Sequence, residues 1–187
     1  MVLAAYWRGK SIEDSNLETG AMALLGITWC RANKCCPKHI FPSCHNDEDS
    51  VTVSGPKYSV KEVPVDALIA KSVFVREVDR CGYAFHSQCV LSAVGKLQTS
   101  LGKVIHIHIP KPRTSRWISS CYPKQKWEEP SAKLVAAFYF VKSFASPVLF
   151  HEALHHIPKD VVVIEIVPHQ LLQRVIGTDA EYEKQCG

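Results

Sequence analysis

The order of strand-like and helix-like segments between residues 20 and 81 constrains the fold of this 187-residue chain more than any other feature. β-Branched or apolar runs of strand length alternate with segments of helical spacing, and turn residues separate them. The predicted strands are Gly20–Ile27, Phe41–His45, Ser50–Ser54 and Val73–Val78, and the predicted helices are 28–35, capped by Thr28, and Tyr58–Lys71, which Pro64 interrupts. The order β-α-β-β-α-β predicts a ferredoxin-like unit.

The flanking residues indicate a larger α/β frame around this unit. Helical spacing occurs in five segments, and a sixth is a continuous apolar run typical of a buried parallel strand. The helices are Met1–Ile12, Gln88–Gly102, Lys133–Ser143, Pro147–His156 and 170–176; the apolar run is Val161–Val167, and Trp117–Cys121 is a further short strand. We therefore expect a core helix remnant in 1–19, the insert in 20–81, the C-terminal part of the core in 82–176, and a disordered tail in 177–187.

Composition excludes several classes of protein. Hydrophobic residues make up 47% of the chain, which is enough for a buried core, and the net charge of +4 comes from scattered residues. The basic residues form no dense block of the kind that indicates nucleic-acid binding. No apolar run reaches the ~18 residues of a membrane span. The apolar stretch at the N-terminus, Met1–Tyr6, is too short for a signal peptide. We therefore expect a cytoplasmic protein whose eight cysteines are mostly reduced.

The segment Gly82–Ser87 is the best candidate for chemistry. His86 follows the strand Val73–Val78 and lies beside Phe85 and a hydroxyl, where a general base would be placed. Arg8 is a candidate receptor for a carboxylate. No G-x-S-x-G motif supplies a nucleophile, so the chain offers a base without an evident group to activate.

Three histidine or cysteine groupings leave a metal site as a less favoured alternative. His151-Glu152-Ala153-Leu154-His155 is a literal H-E-x-x-H, the pattern of zinc hydrolases, but no third ligand follows at the required spacing. The other two groupings lack paired knuckles or a third ligand, and we expect no metal there. They are Cys30, Cys35, Cys36, Cys44 and His45, and the pair His106 and His108.

Segments spread over residues 2 to about 176 resemble the malonyl/acetyl transacylase domain of animal type I fatty acid synthase. The matching segments occur in the same order as in that family. They are Val2–Gly9, Gly20–Ala23, Cys44–Asn46, Val51–Pro56, Ala84–Ser87, Lys111–Arg113 with Arg116-Trp117, Ser146–Phe150, Glu152–Leu154, Glu165–His169 and Leu171–Gln173.

This resemblance implies an α/β-hydrolase-like core with an inserted ferredoxin-like subdomain and ping-pong acyl transfer. A serine would take malonyl or acetyl from coenzyme A and pass it to the phosphopantetheine thiol of an acyl carrier protein, with no bound cofactor. Partners would be that carrier domain and neighbouring synthase domains. His86 would be the base, Arg8 the receptor of the malonyl carboxylate and Phe85 part of the acyl pocket, and Pro168-His169 would orient His86.

The resemblance also implies that the family's G-H-S-L-G segment precedes Met1. We therefore expect a fragment that is inactive alone, with a non-catalytic remnant or pseudogene product as the alternative.

Overall fold

A computed structural model describes residues 2–61, 73–104, 110–158, 160–166 and 175. Its helices and strands follow the predicted order over most of that range. The helices are α1 (Val2–Glu13), α2 (Trp29–Cys35), α3 (Lys57–Lys61), α4 (Leu91–Val104), α5 (Pro130–Lys133), α6 (Ala137–Ala145) and α7 (Phe150–Leu154). The strands are β1 (Gly20–Leu25), β2 (Phe41–Asp47), β3 (Ser50–Pro56), β4 (Val75–Val78), β5 (Lys111–Pro112), β6 (Leu134–Val135) and β7 (Val148–Leu149).

Five of these strands form one sheet in the order β4-β1-β3-β2-β7. β1 is antiparallel to both β3 and β4, β2 is antiparallel to β3, and β7 joins β2 in parallel. β5 and β6 form a separate antiparallel pair. The result is a mixed α/β fold in which a strand from the C-terminal half extends the sheet built by residues 20–78.

Alternating side chains of β1 and β3 explain why one face of this sheet is buried. Ala21, Ala23 and Leu25 lie on the same face as Val51 and Val53, as the period of two requires. α2 and Val60 of α3 cover this face. The four strands predicted between residues 20 and 78 are confirmed as β1 to β4, with β1 ending at Leu25 and β4 beginning at Val75.

A second core lies among α1, α4 and α6. Apolar residues at helical spacing on α4, including Ala93, Leu97 and Leu101, are fully buried against Ile12 and Phe144. The predicted helices at Met1–Ile12 and Gln88–Gly102 are confirmed, the second opening with a 3₁₀ turn at Gln88–Val90.

The prediction of a buried parallel strand over Val161–Val167 is wrong for its described residues, 161–166. They form no strand, and the side chains of Val162, Ile164 and Ile166 are 90%, 79% and 91% exposed. A buried parallel strand needs neighbours on its edges and layers on both faces. None of the strands that the structure describes pairs with this run.

Three other predicted elements differ because tertiary contacts override local pattern. In the predicted helix Lys133–Ser143, Leu134 and Val135 pair with β5 as β6, and the helix begins only at Ala137. Trp117–Cys121 is no strand: the Trp117 carbonyl accepts a hydrogen bond from the Arg113 guanidinium at 2.5 Å instead of from a neighbouring strand. Pro147 starts no helix, because Val148 and Leu149 pair with β2 and α7 begins only at Phe150.

Several predictions fall outside the described residues. They are the helix beyond Lys61 with Pro64, the pair His106 and His108, the helix 170–176 apart from residue 175, and the tail 177–187.

Candidate active site

The loop that carries His86 has an unusual backbone. Cys81, Gly82 and His86 have φ angles of 55°, 78° and 57°, in the left-handed region. For a non-glycine residue this conformation is uncommon, and it is often found at functional sites. Two contacts hold the loop: the Gly20 N–H donates to the Gly82 carbonyl at 2.7 Å, and the Cys81 N–H donates to the Asp79 carboxylate at 2.9 Å.

The imidazole of His86 has a defined orientation. Its Nδ1 lies 3.1 Å from the Ser146 carbonyl oxygen, which can only accept, so Nδ1 carries the proton and donates. Nε2 of the neutral ring is then the basic nitrogen. Burial lowers the pKa of His86 below its ordinary value of 6.5, and the positive charges of Arg8 and Arg80 act in the same direction. The backbone of Ser146 and that of Ser143 raise the pKa of His86, but the net shift is downward and favours a neutral ring.

The structure brings Arg8 and Phe85 close to this histidine. Arg8 is exposed on α1, and its charge is near enough to influence His86 electrostatically. The ring of Phe85 lies 6.5 Å from the His86 ring and packs edge-on against Phe144 at 6.2 Å. A base and an aromatic wall from one loop and a cation from α1, which is distant in sequence, are therefore brought into the same region.

The hydroxyl beside His86, that of Ser87, is hydrogen-bonded to main-chain groups. Ser87 donates to the Ala84 carbonyl at 2.7 Å and accepts from the Cys89 N–H at 3.2 Å, which caps the following 3₁₀ turn. Within the described ranges, no hydroxyl or thiol is hydrogen-bonded to His86. Ser87 is thus a structural residue rather than a nucleophile.

The H-E-x-x-H segment has other partners. The rings of His151 and His155 meet at 4.6 Å, as their spacing predicts, but Glu152 is hydrogen-bonded to His45 at 2.9 Å. His155 Nδ1 lies 2.8 Å from the His151 carbonyl. In the part of the chain that the structure describes, no group of three or more His, Cys, Asp or Glu side chains is arranged so that it could hold a metal ion.

The cysteines are equally unlike a metal centre. All seven cysteines in the described segments are free; the eighth, Cys186, lies outside them. Burial raises the pKa of the Cys36 thiol to about 11, and burial also raises that of Cys44. Metal binding requires thiolates, which these surroundings disfavour.

Comparison with known proteins identifies the family. The sequence model of one protein family, the acyl transferase domain, matches residues 1–185. The chain belongs to the acyltransferase domain family. It is 32% identical to prosolanapyrone synthase of Alternaria solani over 94% of this chain and 7% of that protein, and 28% identical to trichosetin synthetase PKS-NRPS1 of Gibberella fujikuroi over 92% and 4%. The acyltransferase chain therefore spans a small part of these relatives.

Solved structures support the fold. The acyltransferase domain of the polyketide synthase PpsC of Mycobacterium tuberculosis matches with a TM-score of 0.74 at 22% identity, over 94% of this chain and 52% of that one. Malonyl CoA-acyl carrier protein transacylase from Clostridium perfringens matches with a TM-score of 0.61 at 17% identity, over 82% of this chain and 48% of that one.

Among the described residues, no helix of this acyltransferase chain is long and apolar enough to cross a membrane.

Sequence reasoning missed the observed partner of His86. Pro168 and His169, which we expected to orient it, lie outside the described residues. Among the described residues, the carbonyl of Ser146 contacts the ring, and the role of Pro168 and His169 stays a prediction. A signal existed: Ser146 precedes Pro147, and a residue before proline is biased toward extended backbone, which fixes where its carbonyl points. Ser146 is extended, with φ −112° and ψ 159°.

Proposed function

We propose that this chain is part of a malonyl/acetyl-CoA:acyl carrier protein transacylase of the fatty acid synthase type. The single observation that carries the proposal is His86, whose Nδ1–H is bound by the Ser146 carbonyl and whose neutral Nε2 is left as the base, with Arg8 nearby. Membership of the acyltransferase domain family supports the reaction class.

His86 would act twice in this reaction. Nε2 takes the proton of a serine hydroxyl as the serine oxygen attacks the thioester carbonyl, and then protonates the departing thiolate of coenzyme A. In the second half, Nε2 takes the proton of the phosphopantetheine thiol of the acyl carrier protein. The thiolate attacks the acyl-serine ester, and the proton returns to the serine oxygen.

Arg8 would select the acyl group. A guanidinium can hold the free carboxylate of malonyl in two parallel hydrogen bonds, and acetyl offers no such carboxylate. Phe85 would supply an apolar wall for the acyl carbon atoms. No bound cofactor is required, since the coenzyme A thioesters are substrates.

The serine would come from the part of the domain that this chain does not span. The chain corresponds to 52% of the PpsC acyltransferase chain, and no hydroxyl meets His86 in the described residues. We accordingly expect the chain alone to be inactive. The strand order β4-β1-β3-β2, with α2 and α3 in the connections, supports a ferredoxin-like subdomain inserted in an α/β-hydrolase-like core.

The partners and location follow from the same proposal. We propose an acyl carrier protein and neighbouring synthase domains as partners, and the cytoplasm as the location. Of the two curated relatives named above, trichosetin synthetase PKS-NRPS1 carries polyketide synthase (PKS) in its name. The fatty acid synthase type rests on the residue motifs shared with animal synthases.

The full reading frame that encodes this chain provides the test. An in-frame G-x-S-x-G segment upstream of residue 1 is the expected finding, and the complete domain should be acylated by labelled malonyl-CoA and acetyl-CoA. The His86→Ala variant should abolish acylation. Arg8→Ala should lower kcat/KM for malonyl-CoA by about tenfold or more, the effect of losing one charge-assisted contact, while acetyl-CoA is little affected.

Other outcomes would separate the alternatives. An upstream frame without a nucleophile, or a complete domain that is never acylated, would favour a non-catalytic remnant. Stable acylation of this chain alone would refute its expected inactivity. Acylation by malonyl-CoA without acetyl-CoA would contradict the fatty acid synthase type but keep the acyltransferase.

A further inference from the structure

An acid–imidazole cluster, formed by His45, Asp47, His151 and Glu152, joins β2 to α7. His45 Nδ1 lies 2.9 Å from Glu152 Oε1, and His151 Nδ1 lies 3.7 Å from Asp47 Oδ1. His45 is only 9% exposed, and Trp29 of α2 stacks on its ring at 5.2 Å and 17°. Two alternate residues of one strand therefore meet two consecutive residues of one helix.

This cluster lies beside the segment that orients the base. Ser146, whose carbonyl binds His86, is separated from α7 only by Pro147 and the two residues of β7. β7 is held to β2 over two register pairs, Cys44↔Val148 and His45↔Leu149. A pairing this short fixes a strand weakly. The Leu149 N–H also donates to the Ser120 carbonyl at 2.6 Å, and the side-chain contact just beyond β7 adds to these restraints on its position.

We propose that His45 and Glu152 form a positioning pair for the base. Their hydrogen bond holds the start of α7 against β2, which keeps β7 in register and places the Ser146 carbonyl where the Nδ1–H of His86 can reach it. The role of this pair in acyl transfer rests on the proposed function. Neither residue is hydrogen-bonded to His86 within the described ranges, so both act through Ser146.

The chemistry of Glu152 favours a positional role over a purely stabilising one. Its second oxygen, Oε2, is buried and has no hydrogen-bond partner among the described residues. An incompletely satisfied carboxylate contributes less to stability than a well-packed apolar side chain of the same size would. What a carboxylate does offer is one fixed, directional contact to the buried imidazole of His45.

The tautomer of His86 provides a direct test on the chain as it exists. ¹⁵N NMR of labelled protein reads which ring nitrogen carries the proton, and we expect Nδ1–H in the parent chain. Glu152→Asp withdraws the carboxylate by one methylene from His45, and Glu152→Ala removes it. In both variants we expect Nδ1–H to fall from the major to a minor form of His86.

Two matched variants separate position from charge and from stability. Glu152→Gln keeps an oxygen acceptor for the His45 Nδ1–H, so His86 should keep the parent tautomer. Glu18→Ala removes an exposed carboxylate elsewhere and should also leave it unchanged. Circular dichroism establishes that each variant compared is folded; if Glu152→Ala is not, the milder Glu152→Asp decides.

A folded Glu152→Asp variant that retains the parent tautomer would overturn the proposal. The same measurement requires no turnover, so it is independent of acyl transfer. If the complete domain is not acylated but the tautomer shifts as expected, the proposed function fails and the positioning contact stands.

Discussion

At the scale of single residues, the environment of His86 makes protein stability depend on pH. Burial, Arg8 and Arg80 lower the pKa of the folded-state imidazole below the 6.5 of an unfolded chain. Between these two pKa values the unfolded state binds more protons than the folded state. The contribution of His86 to the free energy of unfolding therefore rises with pH across this window. It is fully present above about pH 6.5 and is lost as the pH falls toward the lowered pKa.

We expect replacement of His86 by Asn to flatten this dependence. Asn does not titrate, tolerates the left-handed backbone and can still donate to the Ser146 carbonyl. Urea denaturation at several pH values below 7 gives the comparison. His155→Gln, at an exposed position, is the matched control and should keep the parent slope. An unchanged slope in His86→Asn would contradict the lowered pKa.

Gly20 sets the position of the His86 loop by close approach. A Cβ at this residue would lie 2.6 Å from both Cβ and the backbone N of Ala84, a distance that backbone cannot accommodate without shifting. We expect Gly20→Ala to lower the free energy of unfolding by about 1–3 kcal/mol, the range of overpacked sites. It should also perturb the NMR signals of His86.

Gly9→Ala is the control for that substitution. Gly9 lies within α1, and nothing comes within 4 Å of the added Cβ. In a helix interior this change stabilises by roughly 1 kcal/mol at most. Equal effects of the two substitutions on urea denaturation would show that the Ala84 contact is not what limits Gly20.

Some residue-level features could be predicted from sequence and others could not. The sequence indicates His86 as the base because this histidine follows a strand-like run and lies beside an aromatic residue and a hydroxyl. Its partner is a main-chain carbonyl, which every residue possesses, so residue type alone did not identify Ser146. The pairing of Glu152 with His45 joins residues 107 apart and leaves no trace in local spacing.

At the scale of elements, local signals determined where α2 begins. Thr28 is extended, and its Oγ1 accepts a hydrogen bond from the Arg31 N–H at 3.3 Å, as predicted for an N-cap. We expect Thr28→Ala to lower the free energy of unfolding by about 1 kcal/mol, whereas Thr28→Ser, which keeps a hydroxyl, should change it little. Equal losses in both variants in urea denaturation would attribute the effect to the Thr28 methyl group.

Elements whose partners lie far along the chain were predicted less well. The strands β1 to β4 were predicted from local sequence: β3 alternates between apolar and polar residues, and β1 and β4 lie in apolar runs of strand length. Val148 and Leu149 form a strand only because β2 lies beside them, and Trp117 is held by Arg113 rather than by a strand. Propensity is a weak guide wherever such contacts decide.

At the scale of the whole molecule, the apolar run 161–166 has the composition of a core and the exposure of a surface. Val162, Ile164 and Ile166 are 79–91% exposed. The sequence pattern predicts burial for this run, whereas the structure leaves it exposed, because pattern alone does not show which surface would cover it.

Such a surface predicts self-association of the isolated chain. Contiguous exposed apolar residues favour non-specific contacts between copies. We expect light scattering after size-exclusion chromatography to show concentration-dependent association, and the double variant Ile164→Lys/Ile166→Lys to reduce it with the fold unchanged by circular dichroism. Asp160→Lys adds the same two units of charge nearby and leaves the apolar side chains in place. If Asp160→Lys reduced association equally, charge repulsion would be the cause; reduction in the double variant alone assigns association to the exposed run.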